Sequence, residues 1–259
     1  MNTVDVSAPV WSHLLDMRSG DTNSPATDQW SDEESQAVEL YGPVAARSGE
    51  PLVIGQIGQS LDGRIATVSG DTRDISGPDG LAHLHRLRAL VDGVIIGVKT
   101  ALHDTPRLTV RLCDGPNPAR IIIDPRGRLP EDAAVLRDDG TRRIVIQALD
   151  MARPDGVEVV RLAPHDGLLR PTEIVQALGH LGIHSLLVEG GGFTISRFME
   201  AGLLDRLHVA ISPVLLGGGS IGLTLPSPPE RLTDAIQPET SVFQLGSDVV
   251  FDCALRADS

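Results

Sequence analysis

The chain has 259 residues, of which 41% are hydrophobic and 3% aromatic, and it carries a formal net charge of −13. This length and apolar content suit one large α/β domain or two small ones, with a core of aliphatic side chains. The negative charge argues against a nucleic-acid-binding protein, because a phosphate backbone is bound by basic surface.

The N-terminal part of the chain differs from the rest in composition. Residues 1–50 hold nine acidic and only two basic side chains. We therefore divide the chain into an acidic, partly ordered N-terminal extension over residues 1–48 and a main domain over residues 49–259. Residues 10–17 are predicted to be helical, and a second helix is predicted from Ser31, which Glu34 follows at the spacing of a capping box. The extension is expected to pack loosely on the main domain.

From residue 52 onward, short apolar runs alternate with segments of helical periodicity. The predicted strands cover residues 52–59, 93–98, 120–124, 143–147, 157–162, 184–189 and 205–213, followed by a hairpin of 241–245 and 248–255. The predicted helices cover residues 80–91, 171–181 and 193–201. Buried strands separated by helices predict an α/β fold with a mainly parallel central sheet flanked by helices, and the C-terminal hairpin predicts an antiparallel edge.

The predicted helix 80–91 has an apolar face and a polar face. Its leucines, from Leu81 to Leu90, follow helical spacing and are expected to face the core. His83, Arg86 and Arg88 are expected to lie elsewhere on the helix.

Neither the cysteines nor the first residues point to an extracellular or membrane protein. Cys113 and Cys253 are too few for a disulfide framework or a metal-ligand cluster, so we expect no metal site. The first residues lack the basic and apolar regions of a secretory signal, and no apolar run is long enough to span a bilayer. The sequence predicts a cytoplasmic protein without a membrane partner.

The most informative stretch runs from Leu186 to Gly192, where a short apolar run ends in Glu189 and three glycines before a predicted helix. A strand, a glycine turn and a helix start together present backbone N–H groups to a phosphate or another anion. Two interpretations are open from the residues alone. The turn either binds an anion or joins the strand to the helix without a ligand.

Three further polar clusters follow strand ends, where open α/β sheets bind their ligands. They are Ser60 to Ala66, Gly97 to Arg111 and Ile123 to Arg128. The first is equally typical of a plain turn. The second is predicted as a loop, in which Asp104 is either a functional carboxylate or a cap and His103 is either functional or simply solvated. In the third, Arg126 and Arg128 either hold a phosphate or are exposed turn residues.

Taken in this order, the clusters resemble one family. The segments that carry the resemblance are Ser60 to Ala66, Gly97 to Arg111, Ile121 to Asp124, Val188 to Gly192, Ala201 to Asp205 and Ser212 to Gly218. The chain resembles the reductase domain of the bacterial riboflavin-biosynthesis deaminase/reductase, the RibD C-terminal domain, which has a dihydrofolate-reductase-like fold. The likeness covers roughly residues 50–255. Because the chain has no His/Cys zinc pattern, the deaminase domain is expected to be absent.

The resemblance implies an NADPH-dependent reductase of the 5-amino-6-(5-phosphoribosylamino)uracil reductase type. Such an enzyme transfers a hydride to the sugar anomeric carbon of a phosphorylated ribosylaminopyrimidine, and the resemblance also suggests a homodimer. Carried over by position, the cofactor contacts are Gly58, Thr100, Asp104, Pro125, Gly191, Gly192, Phe193, Thr194, Ile195, Ser196 and Arg197. The substrate contacts are Thr72, Arg88, Leu108, Arg111 and Glu189. Asp104 and Glu189 are the expected catalytic residues, and Arg88 and Arg111 are expected to neutralise the substrate phosphate.

The chain departs from the family pattern at two positions. A single acid, Asp104, precedes Pro106 where the family usually has two, and Asp74 stands where an aromatic side chain is common. Two alternatives therefore remain open. One is an NADPH-dependent reductase of another heterocycle such as a pterin, and the other is a non-catalytic NADPH-binding protein whose acidic extension contacts a partner.

Overall fold

A computed structural model describes residues 2–20, 30–46, 50–72 and 75–256, so Asp74 lies outside the described residues. The first elements are β1 (Asn2–Thr3), α1 (Ala8–Ser19), α2 (Asp32–Ala45), β2 (Leu52–Ser60), α3 (Pro78–Leu90), β3 (Gly93–Gly97), α4 (Val98–Asp104) and β4 (Ala119–Ile123). They are followed by β5 (Arg143–Gln147), β6 (Val157–Arg161), α5 (Pro171–His180), β7 (Ser185–Val188), α6 (Gly192–Glu200), β8 (Arg206–Ser212), β9 (Glu239–Leu245) and β10 (Asp248–Ala254). No helix within these ranges is long and apolar enough to cross a membrane.

The strands form one sheet in the order β1-β9-β10-β8-β2-β7-β3-β4-β5-β6. All neighbours from β8 through β6 pair in parallel, whereas β10 runs antiparallel to both β8 and β9. The predicted α/β architecture, a mainly parallel sheet with a C-terminal antiparallel hairpin, is therefore confirmed.

Alternate side chains of the central strands enter two cores, one on each face of the sheet, as the two-residue period of a strand requires. In β3, Val94 and Ile96 join the core that α1, α2 and α3 cover, whereas Ile95 joins the core under α5 and α6. Because β7, β3 and β4 are neighbours and run in parallel, their carboxyl ends lie side by side at one edge of the sheet.

Helix α3 buries Leu87 and Leu90 of the predicted apolar face and also side chains that were expected to lie elsewhere on the helix. Leu81 is 42% exposed, whereas His83 and Arg88 are buried. These polar side chains tolerate burial because they have partners on other elements: Tyr41 Oη lies 2.9 Å from His83 Nδ1, and Arg88 hydrogen-bonds Glu189. Leucine spacing within one helix carries no information about such partners, so the prediction that His83 and Arg88 lie away from the core is wrong, whereas the apolar face is confirmed except at Leu81.

Helices α1 and α2 are part of a core rather than a loosely attached arm. Val10, Leu14 and Leu40 are fully buried in the same cluster as side chains of α3 and the sheet. The predicted capping box is present: the Ser31 side chain accepts a hydrogen bond from the Glu34 N–H, and the Glu34 side chain accepts one from the Ser31 N–H. The described residues of the extension thus pack closely on the sheet, while its boundary at residue 48 stays a prediction.

A chain of buried polar side chains crosses this core. His83 Nε2 lies 3.2 Å from His208 Nδ1, and the two imidazole rings stack. His208 Nε2 in turn lies 3.2 Å from Asp252 Oδ1. Burial by itself raises the pKa of Asp252, but the hydrogen bonds from His208 and Arg206 outweigh it and lower that pKa. The chain connects α2, through Tyr41, with α3, β8 and β10.

We expect the protein to lose stability as the pH falls from 6.5 toward 4, because buried histidines must stay neutral in the folded state. Burial, then the charges of His208 and Arg86, lowers the pKa of His83 well below 6.5. Burial, then the charges of Arg88 and Arg111, lowers the pKa of His85 to about 4. Below pH 6.5 the unfolded chain takes up protons that the folded protein does not bind. Stability that is present above that pH therefore declines by up to about 1.4 kcal/mol per pH unit for each histidine.

Urea-induced unfolding at about pH 7.5 and about pH 5.5 measures this loss. His85→Asn should show a smaller dependence on pH than the wild type, because Asn keeps an acceptor near Nδ1 but does not titrate. His184→Asn, which replaces an exposed histidine, should behave as the wild type does. A free energy of unfolding that is the same at both pH values would contradict the prediction.

Candidate active site

Polar residues follow the carboxyl ends of three neighbouring strands, β7, β3 and β4, and therefore lie at one edge of the sheet. Strand β7 ends before Glu189 and the glycine turn, β3 runs directly into α4, and β4 ends before Asp124. This edge, outside the carboxyl ends of parallel strands, is where α/β sheets bind ligands. The prediction of a loop from Gly97 to Arg111 is wrong in its first part, because Val98 and Ala101 are buried as one face of α4.

The glycine turn is held against Thr100 of α4. Gly190 has a φ of +94°, and a Cβ at this position would lie 2.8 Å from the Thr100 side chain, so only glycine fits. The Gly191 N–H donates a hydrogen bond to Thr100 Oγ1 at 3.1 Å. The turn leads into α6, whose first N–H groups have no acceptor within the helix and suit an anion.

A cavity of about 340 Å³, here called the smaller cavity, lies beside this turn and reaches the segments that follow β4 and precede α5. Its lining includes four basic side chains, Lys99, Arg126, Arg128 and Arg197, and no acidic one. Among the described residues, none of the four has a hydrogen-bond or ion-pair partner. Apolar residues such as Leu169 complete the wall. The arrangement suits a ligand that combines negative charge with a planar ring.

A second cavity of about 570 Å³, the larger cavity, adjoins the smaller one at Lys99, Thr100 and Gly191. Its wall brings together most of the predicted substrate contacts and several cofactor contacts. These are Gly58, Thr72, Arg88, Thr100, Asp104, Leu108, Glu189 and Gly191. Pro125, Phe193, Thr194 and Arg197 line the smaller cavity instead.

Arg88 and Glu189 form a bidentate ion pair in the wall of the larger cavity. Arg88 Nε donates to Glu189 Oε1 at 2.8 Å and Nη2 donates to Oε2 at 2.7 Å. The residues are only 6% and 5% exposed. Burial opposes the charged form of Arg88, but the charge and hydrogen bonds of Glu189 prevail and raise the Arg88 pKa. The charge of Arg88 is therefore already compensated within the protein, and Arg88 is not a free cation for a phosphate.

Asp104 lies at the exposed rim of the same cavity, at the end of α4. Its Oδ1 lies 2.7 Å from His103 Nδ1 and accepts a weak hydrogen bond from Thr72 Oγ1 at 3.4 Å. The next residues are strained: Thr105 and Leu108 adopt left-handed backbone angles, with φ of 43° and 54°. Strain of this kind in non-glycine residues is concentrated at ligand sites.

Four predicted contacts line neither the smaller nor the larger cavity. They are Gly192, Ile195, Ser196 and Arg111. Ile195 is fully buried in the core, and Ser196 Oγ accepts a hydrogen bond from the Thr224 N–H. The Arg111 N–H donates to His85 Nδ1 at 2.9 Å, which fixes the segment that carries this arginine. Their roles as ligand contacts stay predictions.

Among the cavity residues that were not predicted as contacts, Lys99 and Gln56 carry polar side chains with a recognisable signal in the sequence. Lys99 lines both cavities, and its signal was available: it is the only lysine of the chain and directly follows a strand. Gln56 lines the larger cavity, is 6% exposed, and has no side-chain hydrogen bond to any described residue. Its signal was a polar residue inside the apolar strand β2. Within the described ranges, no group of three or more His, Cys, Asp or Glu side chains could hold a metal ion.

Two comparisons at the level of sequence bear on this site. Residues 51–251 match the family model of the RibD C-terminal domain. The chain is 31% identical over 216 residues to the 2,5-diamino-6-ribosylamino-4(3H)-pyrimidinone 5′-phosphate reductase of Methanothermobacter thermautotrophicus, a match that covers 80% of this chain and 99% of that protein. It is 32% identical over 175 residues to the riboflavin biosynthesis protein RibD of Actinobacillus pleuropneumoniae, covering 65% of this chain and 46% of that protein.

A comparison of structures gives the same result. The crystal structure of a diaminohydroxyphosphoribosylaminopyrimidine deaminase/5-amino-6-(5-phosphoribosylamino)uracil reductase from Thermotoga maritima superposes with a TM-score of 0.72 and 25% identity, covering 86% of this chain and 62% of that chain. This superposition confirms the fold class predicted for the chain. The chain thus spans nearly all of the Methanothermobacter reductase but less than half of the Actinobacillus RibD protein. On these matches and this architecture, the chain belongs to the RibD C-terminal domain family.

Proposed function

We propose that this protein is an NADPH-dependent reductase that acts on a phosphorylated ribosylaminopyrimidine. The observation that carries the proposal is the pair of adjoining cavities, which meet at Lys99, Thr100 and Gly191. One is rich in unpaired cations and the other contains a buried ion pair, so a dinucleotide and a polar substrate fit side by side. The names of the Methanothermobacter and Thermotoga relatives, both pyrimidine reductases, support the same substrate class.

The smaller cavity suits NADPH in three respects. The glycine turn and the first turn of α6 supply N–H groups for the pyrophosphate. Arg126 and Arg128, which line this cavity after β4, supply planar guanidinium groups for the 2′-phosphate. Phe193, which is exposed, and Leu169 supply apolar surface for the adenine ring. NADPH, when bound, supplies the hydride.

The larger cavity suits the substrate. Each Glu189 oxygen already accepts a hydrogen bond from Arg88 but retains a second lone pair, which binds an amine or a hydroxyl group of the substrate. Arg88 holds that carboxylate in place with two hydrogen bonds. Because the charge of Arg88 is already compensated by Glu189, we assign the substrate phosphate to Lys99, which lines the larger cavity.

Reduction of the sugar requires a proton besides the hydride, because the ring oxygen becomes a hydroxyl when the ring opens. We assign this proton transfer to Asp104, whose carboxylate is exposed at the rim of the larger cavity and lies outside the buried ion pair. We further propose a homodimer, as the family resemblance implies. From the sequence we propose a location in the cytoplasm, with no nucleic-acid or membrane partner.

Replacing both Arg126 and Arg128 by Ser is expected to weaken NADPH binding by about tenfold to a hundredfold while changing NADH binding by less than about twofold. The reason is that only NADPH carries the 2′-phosphate. Titration of nicotinamide fluorescence measures both affinities, and Arg231→Ser, at an exposed arginine that lines neither cavity, is the matched control. If the binding of both nucleotides is weakened equally, the 2′-phosphate does not lie at these arginines. If the wild type binds neither nucleotide, NADPH is not the cofactor.

A further inference from the structure

The segment that carries Arg126 and Arg128 is folded around a buried carboxylate. Asp124 is fully buried directly after β4. Its Oδ1 accepts a hydrogen bond from the Arg128 N–H, and its Oδ2 accepts one from the Leu129 N–H, both at 2.9 Å. Both oxygens of one side chain therefore fix the backbone that follows it.

Arg153 completes this arrangement from the segment after β5. Its Nη2 donates to Asp124 Oδ2 at 2.8 Å, its Nη1 donates to the Leu129 carbonyl at 2.9 Å, and its Nε donates to Gln147 Oε1 at 2.8 Å. The Arg153 side chain is 2% exposed and that of Asp124 is 0% exposed. A buried arginine with all three donor positions engaged holds its neighbours in one geometry.

The middle of the segment is fixed as well. Gly127 has a φ of +63°, and Met151 occupies the space where a Cβ would lie. The two arginines on either side of Gly127 remain exposed, line the smaller cavity and have no partner among the described residues. The buried Asp124–Arg153 pair thus fixes a segment whose exposed side chains, Arg126 and Arg128, are cations without a partner.

We propose that Asp124 and Arg153, here called the clamp, are positioning residues that set the preference of the enzyme for a 2′-phosphorylated cofactor. This inference rests on the proposed function. The clamp touches no ligand itself; it fixes the backbone so that Arg126 and Arg128 face the cavity before the cofactor arrives. Preorganisation of this kind strengthens binding because less conformational freedom is lost when the phosphate is bound.

The test compares NADPH and NADH binding in the full chain of the wild type, Arg153→Lys and Gln147→Met. Lysine keeps the buried charge opposite Asp124 but cannot reach all three acceptors. Gln147→Met removes the acceptor of Arg153 Nε, together with the hydrogen bonds that Gln147 Nε2 donates to the Leu149 and Met151 carbonyls, without leaving a charge unpaired. Each variant is expected to weaken NADPH binding by about fivefold or more and NADH binding by less than about twofold. Arg161→Lys is the matched control, because the Arg161–Asp150 pair is exposed and lines neither cavity.

The ratio of the two affinities is the decisive readout, since general destabilisation would affect both nucleotides alike. Folded variants that keep the wild-type ratio, or that lose affinity for both nucleotides equally, would overturn the clamp proposal. They would leave the proposed function intact. A wild type that fails to bind NADPH would instead overturn the proposed function itself.

Discussion

Replacing Glu189 by Gln is expected to lower turnover by at least about tenfold and to lower the free energy of unfolding by about 3 kcal/mol or more. Glu189 and Arg88 are both nearly fully buried and joined by two hydrogen bonds. A neutral amide leaves the guanidinium buried without a counter-charge and sets an amide N–H against an arginine N–H. The cavity wall that orients the substrate is then lost together with the ion pair.

The Arg142–Glu158 pair offers a control of the same geometry on the surface. It is also bidentate, but its side chains are 37% and 41% exposed. Water screens such pairs, so Glu158→Gln is expected to cost less than about 1 kcal/mol and to leave turnover unchanged. Urea-induced unfolding and initial rates compare the two variants. Similar losses of unfolding free energy in the two variants, or full turnover in Glu189→Gln, would contradict the role assigned to the buried pair.

Deleting residues 1–46 is expected to abolish folding. Val10, Leu14, Leu40 and Tyr41 are fully buried in the core that α1 and α2 share with the sheet. Truncating one such side chain to Ala typically costs about 2–5 kcal/mol, and a whole domain is stable by only about 5–15 kcal/mol. The deletion would also leave His83 without its tyrosine partner.

Deletion of residues 1–3 provides the comparison, because Asn2–Thr3 form a short, exposed strand at the edge of the sheet. That variant is expected to unfold at nearly the temperature of the wild type. Circular dichroism during heating, with size-exclusion chromatography, measures both variants. A longer deletion variant that folds and binds NADPH as the full chain does would contradict the claim that the folded core requires α1 and α2.

Much of the fold could be predicted because a buried strand or a tight turn is recognisable from the few residues that form it. Short apolar runs such as Ile144–Ile146 predicted buried parallel strands, and the Gly246-Ser247 turn predicted the hairpin between β9 and β10. The burial of His83 and Arg88 could not be predicted in this way. Their partners, Tyr41 and Glu189, lie 42 and 101 residues away along the chain, and only the tertiary structure brings them together.

In the candidate site, too, local features could be predicted and long-range contacts could not. The glycine turn from Gly190 to Gly192 could be recognised because its chemistry is local: three glycines follow a buried strand and begin a helix. The clamp could not be recognised, since Asp124 and Arg153 are separated by 29 residues and neither stands in a pattern that suggests a partner. The meeting of the two cavities at Lys99 likewise depends on strand order, which a linear pattern does not contain.

Oxidation of NADPH in the presence of substrate tests the central claim most directly. The purified full chain is mixed with NADPH and either 2,5-diamino-6-ribosylamino-4(3H)-pyrimidinone 5′-phosphate or 5-amino-6-(5-phosphoribosylamino)uracil, and the loss of NADPH absorbance is followed. We expect oxidation that depends on one of these substrates and forms one ribityl product for each NADPH consumed. Binding of NADPH without oxidation in the presence of either pyrimidine, or oxidation with a pterin alone, would contradict the account.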